Sequence, residues 1–458
     1  MRTEEPFISV IMACYNRQNC VAQTIESILN QTYTNFEFII VDDHSTDNTY
    51  KIIKRCAKQD KRIIVLRNKK NNGINYYRNF NKAIALSKGK YIARMDDDDI
   101  SLPQRFEKQV KYMEENPDVV VLGSKIETFP NEGGNWCPAT NGDLLQMLMP
   151  LCCPICHPSV LIRKDFLLKH KLSYLEEYKY AEDYHLWTQI ILKGGKIVNL
   201  DEVLLKYRIG GNRISSNKAS TTIQNKLTQK IRTEELSQIL QKQDIDYILK
   251  NVIHWPFERN KAKLLFEVFT LMQKEDKNNI ISKKAYEEAI KRYVGTKQTM
   301  HIFFAINDAY TQHLCVVIAS ILKNSTPLDD FHFYVLNKGD LSEENKNNIK
   351  SLKALKDFEI EFIEVDFALF DKCKTSQYCD YITKETYFRY IIPTLKPNLE
   401  KSLYLDCDII IEDSLNLLYS IDLKDNYVGA IEDFWEYAEN YYKKTYNAKK
   451  TLMPGCCL

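Results

Sequence analysis

The chain opens on an apolar run, Phe7 to Cys14, then a polar turn at Tyr15-Asn16-Arg17, then apolar positions at Val21, Ile25, Ile28 and Leu29. The run predicts a buried strand, and the spacing by three and four after it predicts a helix with one face turned to a core. The alternation continues through Phe36–Val41, Ile63–Leu66 and Lys90–Met95 as strands, with a helical stretch around Ala83–Leu86 before the last of them. Two strands run directly into acid, at Asp42-Asp43 and at Asp96-Asp97-Asp98-Asp99. Strand alternating with helix predicts an α/β fold on a mostly parallel, doubly wound sheet, and such sheets bind ligands at the carboxyl ends of their strands.

The pattern changes between Asn217 and Met300. Strand signals fade, helical periodicity runs over Glu235–Leu249 and Lys261–Met272, and 16 Lys and Arg face 10 Asp and Glu. A basic helical connector is expected, either a solvated face or a surface that docks on anionic lipid. From Met300 the alternation restarts: His301–Ile306, Phe331–Leu336, Phe358–Val365 and Ser402–Leu405 read as strands, with a helix through Leu314, Val317, Ile318 and Ile321. The expected organisation is therefore a domain over 1–216, a helical linker over 217–299 and a second α/β domain over 300–458, whose last eight residues fit no element.

Composition narrows the function classes. Lys plus Arg number 63 and Asp plus Glu 61, a net charge of +2 that provides no global field for nucleic acid. Hydrophobic residues at 44% and charged residues at 27% match a folded globular chain. The most apolar stretch, Leu144–Ile162, is interrupted by Pro150, Pro154 and Pro158 and cannot form a spanning helix. Glu4 and Glu5 stand where a signal peptide carries bases, so a cytoplasmic location is expected, with peripheral contact to the inner membrane as an option. Thirteen cysteines without framework spacing read as free thiols there. Cys153-Pro-Ile-Cys156-His157 matches a short haem-attachment pattern, and Cys152, Cys153 and Cys156 could be zinc ligands, but buried side chains in a tight turn are the favoured reading.

Four successive aspartates at the end of a buried strand repel one another unless a cation is present. Carboxylate oxygens suit Mg²⁺ or Mn²⁺, whose shells are commonly completed by water and substrate phosphate. The sequence has neither a G-x-G-x-x-G nor a P-loop, so a metal is expected to hold any diphosphate. Alternation along an extended run expects Asp97 to face away from Asp98.

These segments resemble a known family. Ser9-Val-Ile-Met-Ala-Cys-Tyr-Asn16, Val41-Asp-Asp-His-Ser-Thr-Asp47, Gly89-Lys-Tyr-Ile-Ala-Arg-Met-Asp-Asp-Asp-Asp99 with Pro103, His157-Pro-Ser-Val160 and Ala181-Glu-Asp-Tyr-His-Leu-Trp187 are similar to family 2 glycosyltransferases of GT-A fold, over residues 7 to about 215. The resemblance implies that Ala13, Tyr15 and Asp43 contact the nucleotide of a UDP-sugar, Asp43 at its base. It also implies that Asp96 lies near the ribose, that Asp98 ligates the metal, and that Asp183 is the base for inversion at the anomeric carbon. A sugar hydroxyl attacks better when a carboxylate takes its proton, and the departing diphosphate needs its charge stabilised, so the implied roles fit the chemistry.

Residues 300–458 resemble a second family, the family 8 glycosyltransferases that extend bacterial lipooligosaccharide. The segments that carry this are Phe304-Ala-Ile-Asn-Asp-Ala-Tyr310, Thr386-Tyr-Phe-Arg-Tyr390 and Leu403-Tyr-Leu-Asp-Cys-Asp-Ile-Ile410. The resemblance maps metal aspartates onto Asp406 and Asp408, and places Arg389 and Asn307 near the nucleotide, with Asn307 where the family usually has an aspartate. The family continues through an Asn-Ala-Gly strand to a distal histidine ligand, whereas the last histidine here is His332. With suitable codons, Leu452–Leu458 reads Asn-Ala-Gly-Val-Leu-Leu in a neighbouring frame. A shifted frame is expected, with a natural short form and an artificial boundary left open. The second domain is expected to be incomplete and inactive, leaving Phe303, Leu405 and Ile409 poorly covered.

The expected activity is metal-dependent, inverting transfer of a hexose from a UDP-sugar to a lipid-linked or oligosaccharide acceptor of the bacterial cell surface, lipopolysaccharide or capsule. The alternative is a non-catalytic nucleotide-sugar-binding or scaffold protein, against which the joint presence of Asp43, Asp98 and Asp183 counts.

Overall fold

The computed structural model describes residues 7–130, 135–136, 142–210, 218–252, 261–371, 384–424, 426 and 456–457. The chain divides into two compact units, Met1–Phe257 with Thr270–Ala289, and Glu258–Phe269 with Ile290–Leu458. Residues 217–299 contribute helices to both.

In the first unit, β1 (Ile8–Cys14), α1 (Val21–Leu29), β2 (Phe36–Asp42), α2 (Thr49–Gln59), β3 (Ile63–Arg67), α3 (Tyr77–Leu86) and β4 (Tyr91–Met95) form the alternating half. β1 pairs in parallel with β2 and β4, and β2 with β3. β1, β2 and β4 are buried on both faces, which is why they read as largely apolar runs, whereas β3 at the sheet edge leaves Ile64 exposed. Val10 and Met12 pack into one core with Val21, Ile25, Ile28 and Phe106, while Ile11 between them packs into the other with Phe80, Leu186 and Trp187. A Cβ on Gly89, just before β4, would lie 2.5 Å from the Ser9 backbone nitrogen, so only glycine permits that approach.

The unit continues through β5 (Ile100–Ser101), α4 (Arg105–Glu115), β6 (Val119–Phe129), β7 (Asn135–Trp136), α5 (Gly142–Leu148), β8 (Leu161–Arg163), α6 (Lys164–His170), α7 (Glu182–Leu192) and β9 (Lys196–Arg208). The sheet order is β3-β2-β1-β4-β8-β6-β9-β5, with β7 on β6. Chain order reverses between β1 and β4, where a ligand crevice is expected to open.

Helices α8 (Lys218–Leu236), α9 (Lys242–Asn251), α10 (Ala262–Glu275) and α11 (Lys283–Tyr293) follow. The helix expected across Glu235–Leu249 is broken, because the turn from Ser237 to Gln241 folds inward and buries Ile239 and Leu240. Nor is this segment only a solvated face: Arg232 and Glu235 are buried, and Leu227 and Ile231 pack into the core with Trp187.

The second unit carries β10 (Gln298–Ala305), α12 (Thr311–Asn324), β11 (Asp329–Asn337), α13 (Glu343–Ser351), β12 (Glu359–Glu364), α14 (Ile392–Leu395), β13 (Leu403–Leu405), α15 (Asn416–Tyr419) and β14 (Cys456–Cys457). Its sheet runs β12-β11-β10-β13-β14, parallel except for β14. Two expectations are corrected. Cys456 and Cys457 do join an element, pairing with Leu405 and Tyr404. Phe303 and Leu405 are well covered, at 0% and 1% exposure, because the strand positions that carry them are enclosed by Phe388, Ile392 and Leu415.

Candidate functional site

The carboxyl ends of β1, β2 and β4 and the start of α7 surround one cleft of about 620 Å³ in the first unit. Ala13, Tyr15, Asp43, Asp96, Asp98 and Asp183, all singled out from sequence, line it together. Strand polarity explains the grouping, since parallel strands end on one side of the sheet and their following turns converge there.

On β2 the two aspartates part. Asp42 is buried and paired with Arg67 Nε at 3.1 Å, which makes it a structural acid. Asp43 lines the cleft, accepting from Asn68 Nδ2 at 2.6 Å and from the Asn72 backbone N–H at 3.1 Å. Asn71 donates to its backbone carbonyl at 2.9 Å. The loop after β3 thus wraps the carboxylate and fixes its orientation.

The run after β4 is sorted by three arginines. Arg94, buried in β4 and packed over the Phe80 ring at 5.0 Å, pairs with Asp96 at 2.6 Å. Arg17, from the turn after β1, reaches Asp97 at 3.1 Å and Asp98 at 3.8 Å. Arg208 donates its backbone N–H to Asp99 at 2.8 Å, and Asp99 is fully buried away from the cleft. The expectation that Asp97 faces away from Asp98 is therefore wrong. Asp97 lines the cleft and accepts from the Tyr15 backbone N–H at 3.2 Å, because the run leaves the strand in a turn that has no two-residue alternation. Burial pushes the Asp97 carboxyl up to about 6 against the pull of Arg17, and the charges of Asp98 and Asp96 add to the rise.

Opposite charge is scarce at the start of α7. Glu182 is buried and accepts from the Tyr76 hydroxyl at 2.8 Å, while Asp183 beside it accepts from the Tyr184 backbone N–H at 2.8 Å. Burial, then the neighbouring Asp183 charge, push Glu182 up to about 7. Burial also raises Asp183, which Arg94 partly offsets. Burial thus raises both acids, and they titrate as a pair.

The acids of the cleft offer carboxylate oxygens, and Cys14, Cys153, Cys156 and His157 also line it, with His157 engaged by the Tyr174 hydroxyl at 2.7 Å. Among the described residues no three His, Cys, Asp or Glu side chains group as a metal cage. Carboxylates such as these suit a hard divalent cation whose shell is completed by water and a diphosphate. Cys152 and Cys156 are buried, and burial raises their thiols and that of Cys153, as expected of packed side chains in a turn.

In the second unit, Asn307 and Asp406 follow the neighbouring parallel strands β10 and β13 at their carboxyl ends. Arg389 lies 3.3 Å from Asp406 and 4.4 Å over the Tyr404 ring, so these two expected residues do meet. Asp408 is exposed, and Asn307 caps the turn at Asp308–Tyr310.

The sequence alone passed over Arg17, Arg94 and Tyr76, and it noted Glu182 only as the acid paired with Asp183. Arg94 carried a usable signal, because a charge inside the apolar strand Tyr91–Met95 must have a buried partner.

Residues 9–169 match glycosyl transferase family 2, and residues 301–456 match glycosyl transferase family 8. An uncharacterized glycosyltransferase of Haemophilus influenzae is 34% identical over 260 residues, 54% of this chain and 79% of its own length. The Escherichia coli UDP-Glc:alpha-D-GlcNAc-diphosphoundecaprenol beta-1,3-glucosyltransferase WfaP is 32% identical over 223 residues, 46% of this chain and 80% of its own. Among solved structures, S. aureus TarS 1–349 in complex with UDP-GlcNAc aligns with a TM-score of 0.45 at 18% identity, covering 63% of this chain and 89% of that one.

Proposed function

Since this chain belongs to the glycosyltransferases, with a family 2 domain at residues 9–169 and a family 8 domain at 301–456, we propose that its first unit transfers a hexose from a UDP-sugar to a cell-surface glycan acceptor with inversion. The observation that carries the proposal is the convergence of Asp43, Asp96, Asp98 and Asp183 on one cleft. Asp43, oriented by Asn68 and Asn72, accepts from the base, Ala13 and Tyr15 border the nucleotide, and Asp96, anchored by Arg94, holds the ribose. Asp98 would hold Mn²⁺ or Mg²⁺, which when bound neutralises charge on the departing diphosphate. Asp183 takes the proton of the acceptor hydroxyl as the new bond forms. A base and a leaving group served by different elements suit a single displacement.

The acceptor class we propose is a lipid-diphosphate-linked sugar, as named for the E. coli relative, for lipopolysaccharide or capsule assembly at the cytoplasmic face of the inner membrane. Among the described residues no helix is long and apolar enough to cross a membrane. Residues 1–216 are taken as the catalytic domain, 217–299 as its helical extension and 300–458 as a domain that does not turn over. In the last, Asp406 is neutralised by Arg389, and Asp408 stands exposed with no third described ligand beside it.

The test is Asp183→Asn in the full chain. Transfer should fall about 100-fold or more while UDP affinity stays within a few fold, since general-base removal costs on that order. Retention of a tenth of the parent kcat refutes the assignment. Asp406→Ala with Asp408→Ala should leave transfer unchanged; a matching loss would move catalysis to the second unit.

A further inference from the structure

Tyr180 has a backbone φ of +73°, a left-handed conformation that a side chain with a Cβ adopts only under strain. The strain is held in place on both sides. Tyr178 stacks on His185 at 3.7 Å and donates its hydroxyl to Glu234 at 2.9 Å, and the Ala181 N–H donates to the Tyr178 carbonyl at 2.9 Å. Residues held in such conformations cluster at active sites and ligand clamps, and unlike Lys171, Asn279 and Lys424, which share the left-handed φ, Tyr180 lies at the cleft.

The Tyr180 ring is tilted 43° against that of Tyr76 at 6.3 Å. The Tyr76 hydroxyl is committed to Glu182 at 2.8 Å. Among the described residues the Tyr180 hydroxyl has no hydrogen-bond partner, and the ring is half-buried. A half-buried aromatic face with little to hold it, in a polar cleft, is suited to the apolar C–H face of a pyranose. Position selects the sugar. Tyr180 precedes Asp183 by three residues, a chain reach of roughly 10 Å at most, about two sugar widths. The hydroxyl to be deprotonated must lie against Asp183.

We propose that the Tyr180 ring is the platform on which the acceptor sugar stacks, placing its hydroxyl at the Asp183 carboxylate. The proposal rests on Asp183 being the base. Tyr180 is a positioning residue: it sets acceptor geometry and takes no proton.

The experiment uses the full chain with UDP-glucose and Mn²⁺, with and without GlcNAc linked through diphosphate to a short alkyl chain. Tyr180→Gly removes the ring at a φ that glycine adopts without strain, so the fold is not at risk. Tyr180→Phe keeps the face and removes the hydroxyl. Tyr180→Gly should raise the acceptor KM about tenfold, leave hydrolysis of UDP-glucose by water within twofold, and not lower the melting temperature. Tyr180→Phe should behave as the parent. An unchanged acceptor KM in Tyr180→Gly overturns the proposal. So does a rise in donor KM for hydrolysis, which would make the ring a donor-sugar contact, or a lowered melting temperature, which would make its role structural. If the parent chain neither transfers nor hydrolyses, the transferase reading fails first and this proposal falls with it.

Discussion

Replacing Glu182 with glutamine removes a charge while keeping an acceptor for the Tyr76 hydroxyl, so it isolates the cost of ionising a buried acid beside Asp183. Glu182 is 4% exposed and pushed up to about 7 from an ordinary 4.5. In the unfolded chain it loses its proton near 4.5, whereas in the folded chain it keeps it to about 7. The folded state therefore bears no penalty below pH 4.5, a growing one between 4.5 and 7, and the full one above 7. That difference is on the order of 3 kcal/mol at pH 8 and under about 1 kcal/mol at pH 5. Glutamine carries none of it. Glu182→Gln should therefore melt higher than the parent at pH 8, by about 5–10 °C for a unit of this size, and by little at pH 5. Because the chain has two units, the quantity to compare is the variant-minus-parent melting temperature of the first transition at each pH. The same difference at both pH values, or a lower melting temperature at pH 8, would refute the reasoning that Glu182 stores the proton.

Asp97→Ala should weaken UDP binding about 10–100-fold, as much as Asp98→Ala, because it frees Arg17 and the Tyr15 N–H that shape the turn after β1; calorimetry with UDP and Mn²⁺ would show a much milder loss if that turn did not depend on Asp97. Arg94→Met should destabilise the first unit by about 1–2 kcal/mol, because it removes the charge-assisted contact to Asp96, whose side chain is 32% exposed in the cleft; an unchanged melting temperature would mean that water replaces the guanidinium at Asp96 without cost.

Much of the architecture follows from local pattern. The strands at Ile8–Cys14, Phe36–Asp42 and Tyr91–Met95 are legible because seven or fewer apolar residues between polar turns have few other ways to be buried. Their shared direction then places Asp43, Asp96 and Asp98 at one end, and the family motifs add Asp183. What each acid does once there was decided by tertiary structure. Arg17 lies between Asp97 and Asp98, some 80 residues away in sequence, and Tyr76 meets Glu182 across 106 residues. Such pairings depend on strand order and loop path, to which hydrophobic period is blind. Periodicity even misplaced Asp97, since alternation ends where the strand ends. It likewise ran a helix through Ser237–Gln241, where burial of Ile239 and Leu240 outweighed helix propensity. The raised Glu182 has the same origin: its neighbour Asp183 is visible in the sequence, but the carboxyl becomes unusual only when the fold removes water from around both.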